Sequence, residues 1–158
     1  MRITVVGCGY VGLELARQLA ERGHDVTGVR RSDEGLEAVD AVDENVDAVR
    51  ADATDPDSLR SLPDADAVVF AASSGGRGAA AARAVYVDGL RNVLTEYKTR
   101  TRPPDRLMYT SSTGVYGDHD GGWVDEETPL DPTTEKTEVL AAAERVATAE
   151  AAEAGIDG

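Results

Sequence analysis

Cysteine, histidine and lysine are scarce in this sequence, and each shortage narrows what the chain can be. A single cysteine, Cys8, excludes an internal disulfide and any Cys-rich zinc site. The two histidines, His24 and His119, stand far apart without a second ligand at metal-site spacing, so no metal is expected. Lysine occurs only at Lys98 and Lys136; the other basic residues are arginines, and 16 basic against 30 acidic residues leave a net charge of −14. Such a field opposes a phosphate backbone, and nucleic acid is not an expected partner. Acidity spread along the whole chain, with little lysine and much alanine, suits a surface kept hydrated in high salt, a halophile-type adaptation. No apolar run approaches the roughly 20 residues a bilayer helix needs, and the opening Met1-Arg2-Ile3-Thr4-Val5-Val6-Gly7 lacks a signal peptide's layout. The expectation is a cytoplasmic protein with no membrane partner.

What remains is ordinary globular material. At 41% hydrophobic and 29% charged, 158 residues suffice for one core and are too few for two full domains. Residues 2–6 form a β-branched run ending at Gly7, and Val11, Leu15 and Leu19 then recur at helical spacing until Gly23. The pattern continues with strands at 25–29, 47–51, 67–71 and 106–110. Between them lie helices at 35–42, 55–59 and 79–98, and a last helix runs from Thr134 to about Ala154. The run Ala67-Val68-Val69-Phe70-Ala71 is apolar throughout, as expected of a strand covered on both faces. Regular alternation predicts a single-domain α/β protein: a Rossmann-type, doubly wound parallel sheet in three α/β/α layers. Residues 156–158 read as the lead-in to one more strand.

Gly7-Cys8-Gly9-Tyr10-Val11-Gly12 fits G-x-G-x-x-G, and its place between a strand and a helix gives the pattern its force. Gly7 permits the tight turn, Gly9 lets backbone approach a pyrophosphate, and Gly12 lets the helix pack closely on the strand. Tyr10 and Val11 complete the phosphate-facing helix tip, whose unpaired amides and partial positive charge attract a diphosphate. After the second strand come Arg30 and Arg31, where an NAD site typically places an acidic residue on the ribose 2′-hydroxyl. Two guanidiniums suit a 2′-phosphate, so NADP is the expected cofactor and NAD the second choice. Asp33 or Glu34 is the alternative ribose partner if the arginines are only surface charges. Cys8 needs no role beyond its small size.

Four further stretches carry a resemblance. They are Ala51-Asp52-Ala53-Thr54-Asp55, Ala71-Ala72-Ser73, Val87-Asp88-Gly89-Leu90-Arg91-Asn92-Val93-Leu94, and Tyr109-Thr110-Ser111-Ser112-Thr113-Gly114-Val115-Tyr116-Gly117. With the glycine motif they resemble the extended short-chain dehydrogenase/reductase superfamily, and within it the NAD-dependent epimerase/dehydratase proteins. The resemblance implies that Asp52 and Ala53 contact adenine, that Ala71 and Ala72 line the path to the nicotinamide ribose, and that Ser112 polarises a substrate carbonyl or hydroxyl. The competing reading of Ser112 is a strand-end serine satisfied by backbone, and Ser111 and Thr113 take its place if the register slips. Tyr116 reads as a packing residue.

The superfamily's Tyr-x-x-x-Lys pair is missing. Aligned on Ala143-Glu144, its two positions hold Lys136 and Leu140, and leucine supplies neither charge nor hydrogen bond. Members of this kind also continue past the equivalent of Ile156 into a substrate-binding part, so this chain reads as a fragment or truncated product. Two functions stay open: hydride transfer on a carbonyl or secondary alcohol of an unidentified small molecule of sugar-nucleotide-like kind, or a non-catalytic NAD(P)-binding module or truncated remnant that binds cofactor without turnover. A homo-oligomer is compatible with either.

Overall fold

The computed structural model describes residues 1–75 and 78–158. Five strands, β1 (Arg2–Val6), β2 (Asp25–Arg30), β3 (Val46–Arg50), β4 (Ala67–Phe70) and β5 (Arg106–Tyr109), form one sheet in the order β3-β2-β1-β4-β5. Every pairing is parallel, with Val5 opposite Gly28 on one side and Val69 on the other. From β1 the strand order runs outward in opposite senses, to β2 and β3 on one side and to β4 and β5 on the other, so the crevice between β1 and β4 is the switch point where ligands of such sheets bind.

Alternation along each strand divides the core in two. Ile3, Val5, Val26 and Val69 face one side, where α1 (Tyr10–Glu21) and α2 (Asp33–Asp40) cover them through Ala16, Ala20 and Val39. Val6, Val29, Val68, Phe70 and Leu107 face the other. They are covered by α3 (Pro56–Leu59), α4 (Ala79–Arg83), α5 (Leu90–Lys98) and α6 (Glu135–Arg145), and by α7 (Ala151–Glu153). The sheet is thus the middle layer of an α/β/α sandwich. Its one buried polar residue among those described, Thr4, is satisfied by the buried Tyr97 hydroxyl, which donates to Thr4 Oγ1 at 3.0 Å and lies 3.2 Å from the Pro63 carbonyl.

Local chemistry explains the element ends. Ser32 accepts from the Gly35 amide and starts α2 at Asp33, two residues before the expected start at Gly35. Asp55 caps α3 with Pro56 in its first turn, and Thr134 opens α6 with a reciprocal capping box to Thr137. The helices expected at 79–98 and 134–154 are each interrupted: π-helical segments span Ala84–Gly89 and Val146–Glu150. Gly89 closes the first of these against Ala53, where a Cβ would come within 3.2 Å of the Ala53 side chain. Asp157 bridges Arg106 in parallel on the outer edge of β5, the start of the strand expected at 156–158.

Candidate dinucleotide site

The carboxyl ends of β1, β2, β3 and β4 open into a cleft of about 530 Å³. Its floor begins at the glycine turn. Gly7 has φ +95°, and a Cβ there would lie 2.3 Å from the Ala72 Cα, so only glycine allows the β1 and β4 exits to touch. Gly12 presses against the turn from the helix side, where a Cβ would meet the Gly7 carbonyl oxygen at 2.5 Å. Gly9 differs: its nearest obstacle would be Arg30 Nη1 at 3.6 Å, leaving its face open to the cleft. The first intrahelical bond of α1 runs from the Leu13 amide to the Gly9 carbonyl at 2.9 Å, and no acidic residue occupies the first turn. The preceding amides of Tyr10, Val11 and Gly12 therefore form an electropositive helix tip at the cleft.

Gly7, Gly9, Tyr10, Val11, Arg30, Arg31, Asp52, Ala53, Ala71 and Ala72 all line this cleft. Gly12 lies behind the wall as a packing contact. Val6, Val29, Ser32 and Val85, which had no site role assigned from sequence, also line it, as do Ala51, Thr54 and Ser73, which stood in the resemblance-bearing stretches without an assigned contact. Most flank a predicted residue at a strand end, and that adjacency was the available signal; Val85 comes from the first π-helical segment.

The two arginines behave differently. Arg30 Nη1 donates to the Cys8 carbonyl at 2.8 Å, and its side chain lies flat against Gly35, where a Cβ would come within 2.4 Å of Nε. Arg30 thus ties the glycine turn to the start of α2. Arg31 is freer, 69% exposed, with Nη1 3.7 Å from Asp52 Oδ2. Asp33, an alternative ribose acceptor, is paired with Arg50, which also donates to the Arg31 carbonyl at 2.9 Å. Burial pushes the Asp52 carboxyl up, but the Thr54 amide and hydroxyl at 2.9 and 2.8 Å and the Arg31 charge outweigh it and hold it below its usual range. Cys8 is buried, its thiol donates to the Val5 carbonyl at 3.4 Å, and burial raises its pKa to about 11.

Ser112 lies outside the cleft lining. Its Oγ is exposed and accepts from the Gly114 amide at 3.3 Å, capping a 3-10 turn at Thr113–Tyr116. Ser111 donates to Glu144 of α6. Tyr116 packs against the small cluster of Val115, Leu140 and Ala141. Among the described residues, no group of three or more His, Cys, Asp or Glu side chains could hold a metal, and no helix is long and apolar enough to cross a membrane.

A parallel sheet with a glycine turn, an open helix tip and a cleft at the switch point defines a Rossmann-like α/β fold of the dinucleotide-binding kind. The NAD dependent epimerase/dehydratase family model matches residues 3–158, and the chain belongs to that family, corresponding to its N-terminal, NAD-binding portion. Protein YeeZ of Escherichia coli strain K12 is 32% identical over 142 residues, covering 88% of this chain and 50% of its own length. D-erythronate dehydrogenase of Cupriavidus necator is 32% identical over 139 residues, covering 80% and 43%. Among solved structures, UDP-glucuronic acid 4-epimerase from Bacillus cereus in complex with NAD superimposes with a TM-score of 0.77 at 21% identity, covering 99% of this chain and 54% of that one. The chain thus spans about half the length of the curated relatives it matches.

Proposed function

We propose that residues 1–158 form a single dinucleotide-binding domain, with the pyrophosphate on the turn of Gly7, Gly9 and Gly12. The observation that carries this reading is the open face of Gly9 beside the unpaired amides of Tyr10 and Val11. Asp52 and Ala53 flank the adenine, and Ala71 and Ala72 line the path toward the nicotinamide ribose. NADP is the preferred form because both groups where β2 ends are guanidiniums. Arg30 is committed to the Cys8 carbonyl, which leaves Arg31 as the residue that answers a 2′-phosphate.

When bound, the nicotinamide supplies a hydride to a carbonyl, or removes one from a secondary alcohol. The chain's own task is to orient the substrate oxygen, and Ser112, which caps the turn after β5, is the residue offered for it. Substrate class is that of a small carbonyl compound or alcohol. A second reading, a domain that binds cofactor without turnover, is favoured by Leu140, buried where the family's lysine would stand.

The test is a fluorescence titration with NADPH and NADH at high salt, where an acidic surface of this kind is best hydrated. NADPH should bind more tightly. In Arg31→Ala the preference should fall about tenfold or more, since a charge-assisted hydrogen bond is worth roughly 1.5–3 kcal/mol. No binding of either nucleotide sinks the reading; binding with an unaltered preference sinks only the role of Arg31.

A further inference from the structure

The missing Tyr-x-x-x-Lys pair leaves the site without its usual proton donor, yet a tyrosine from another element reaches the same place. Tyr86 sits in the π-helical segment Ala84–Gly89, one residue after the cleft-lining Val85. Segments of this kind are frequent at functional sites, because the extra residue per turn re-aims side chains. The Tyr86 hydroxyl accepts from the Ser74 amide at 3.3 Å and so lies at the loop that leaves β4, next to cleft-lining Ser73. Its ring packs on Tyr109, the last residue of β5, at 6.4 Å between centroids, and on the cluster of Val115, Leu140 and Ala141. Leu140 occupies the family's lysine position and Lys136, one turn earlier, its tyrosine position. The order of the two functions is exchanged: the cation stands on α6 and the phenol faces it from the neighbouring helix.

We propose that Tyr86 is the acid/base of this site, with Lys136 as the positioning residue that holds a positive charge toward it. The proposal rests on the dinucleotide reading above. In the reducing direction the carbonyl carbon accepts a hydride from the dihydronicotinamide, which is oxidised. The carbonyl π electrons move to oxygen, and that oxygen takes the Tyr86 proton. A phenolate remains and is reprotonated by water; alcohol oxidation runs the same steps in reverse.

The charged and titratable groups around Tyr86 are Tyr109 on β5, Tyr116 in the turn after it and Lys136 on α6, with Glu144 of α6 acting on Tyr109. The phenols of Tyr86 and Tyr109, whose rings are tilted by 55° to one another, are shifted in opposite directions. Burial pushes the Tyr86 phenol up, but the Ser74 amide, the Ser74 and Ser73 hydroxyls and the Lys136 charge bring it below its ordinary value. Tyr109 goes the other way, raised by burial and by the negative charge of Tyr86 and Glu144, and its buried hydroxyl has no hydrogen-bond partner among the described residues. Two like groups driven apart are the arrangement expected where one must exchange protons and the other must not.

The decisive experiment is a pH titration of the five tyrosines by carbon NMR on Cζ-labelled, nucleotide-free protein, with Tyr86→Phe assigning the Tyr86 resonance. Tyr86 should titrate below 10, and Lys136→Met should move it upward; a phenol out of reach of that exposed side chain would not respond. With NADPH and 4-nitrobenzaldehyde as probe, Tyr86→Phe should lower kcat by about 10²–10⁴-fold, with NADPH affinity unchanged. A Tyr86 that titrates at or above 10, or ignores Lys136→Met, overturns the proposal, as does a phenylalanine variant at the wild-type rate. The NMR titration needs no nucleotide and no turnover, so it can overturn the proposal even for protein inert to the probe. Failure to bind NADPH and NADH instead removes the dinucleotide reading.

Discussion

Replacing Gly9 by alanine separates what the glycine turn does for the fold from what it does for a ligand. Gly9 has φ −81°, outside the left-handed region that favours glycine, and its new methyl would meet only Arg30 Nη1 at 3.6 Å, an ordinary contact. The folded state loses nothing, while the unfolded chain loses conformational freedom, which stabilises by about 0.4–1 kcal/mol. For a chain of this size that corresponds to a rise in Tm of roughly 1–4 °C.

The same methyl stands in the cleft where a diphosphate must approach the amides of Tyr10 and Val11. Holding the phosphate off by even one hydrogen bond to a charged group costs about 1.5–3 kcal/mol, a loss of roughly tenfold to a hundredfold in affinity. Calorimetric unfolding and NADPH fluorescence titration on the same sample read both effects. Gly9→Ala with wild-type affinity would show that no phosphate comes near this turn. A variant that unfolds would show that the turn is tighter than its geometry indicates.

Gly7→Ala should behave oppositely, because its methyl would collide with Ala72 backbone at 2.3 Å and its φ is +95°. Strain and overpacking of about 1–3 kcal/mol each threaten much of a typical domain's stability, so cooperative thermal unfolding should be lost or sharply lowered. Tyr97→Phe removes the hydroxyl that serves Thr4 and Pro63, and urea unfolding should show a loss of about 1–3 kcal/mol. Cys8 should ignore a thiol reagent at pH 8 until the protein unfolds, since its thiol is buried and titrates at about 11. The folded pKa exceeds the unfolded value near 9, so this residue's contribution is intact below pH 9. It declines as pH climbs from 9 through 11, at roughly 1.4 kcal/mol per unit, which urea melts at pH 8 and 10 would detect.

The architecture was readable because its signals are local. β-branched runs such as Ile3-Thr4-Val5-Val6, glycines closing helices at Gly23 and Gly155, and caps at Asp55 and Thr134 each act within a few residues of where they stand. The displacement at α2 has the same local origin: the Ser32 cap recruits Asp33 and Glu34 into the first turn, ahead of the apolar positions that announce the helix. The π-helical segments escaped because no local residue calls for them. The first closes where Gly89 presses on Ala53, a contact between distant parts of the chain.

The site divides along the same line. The glycine turn and the arginines follow one another in sequence, so their presence could be read, but their division of labour could not. Arg30 is spent on the Cys8 carbonyl because β1 and β2 lie side by side in register, a fact of the sheet rather than of the motif. Tyr86 and Lys136 were harder still. A Tyr-x-x-x-Lys search looks along one helix face, whereas this phenol and this cation come from different helices, brought together by packing over Leu140 and Val115. An apolar residue at the family's lysine position therefore argues against the pair in its usual place, and it also provides the surface on which a tyrosine from the opposite helix can rest.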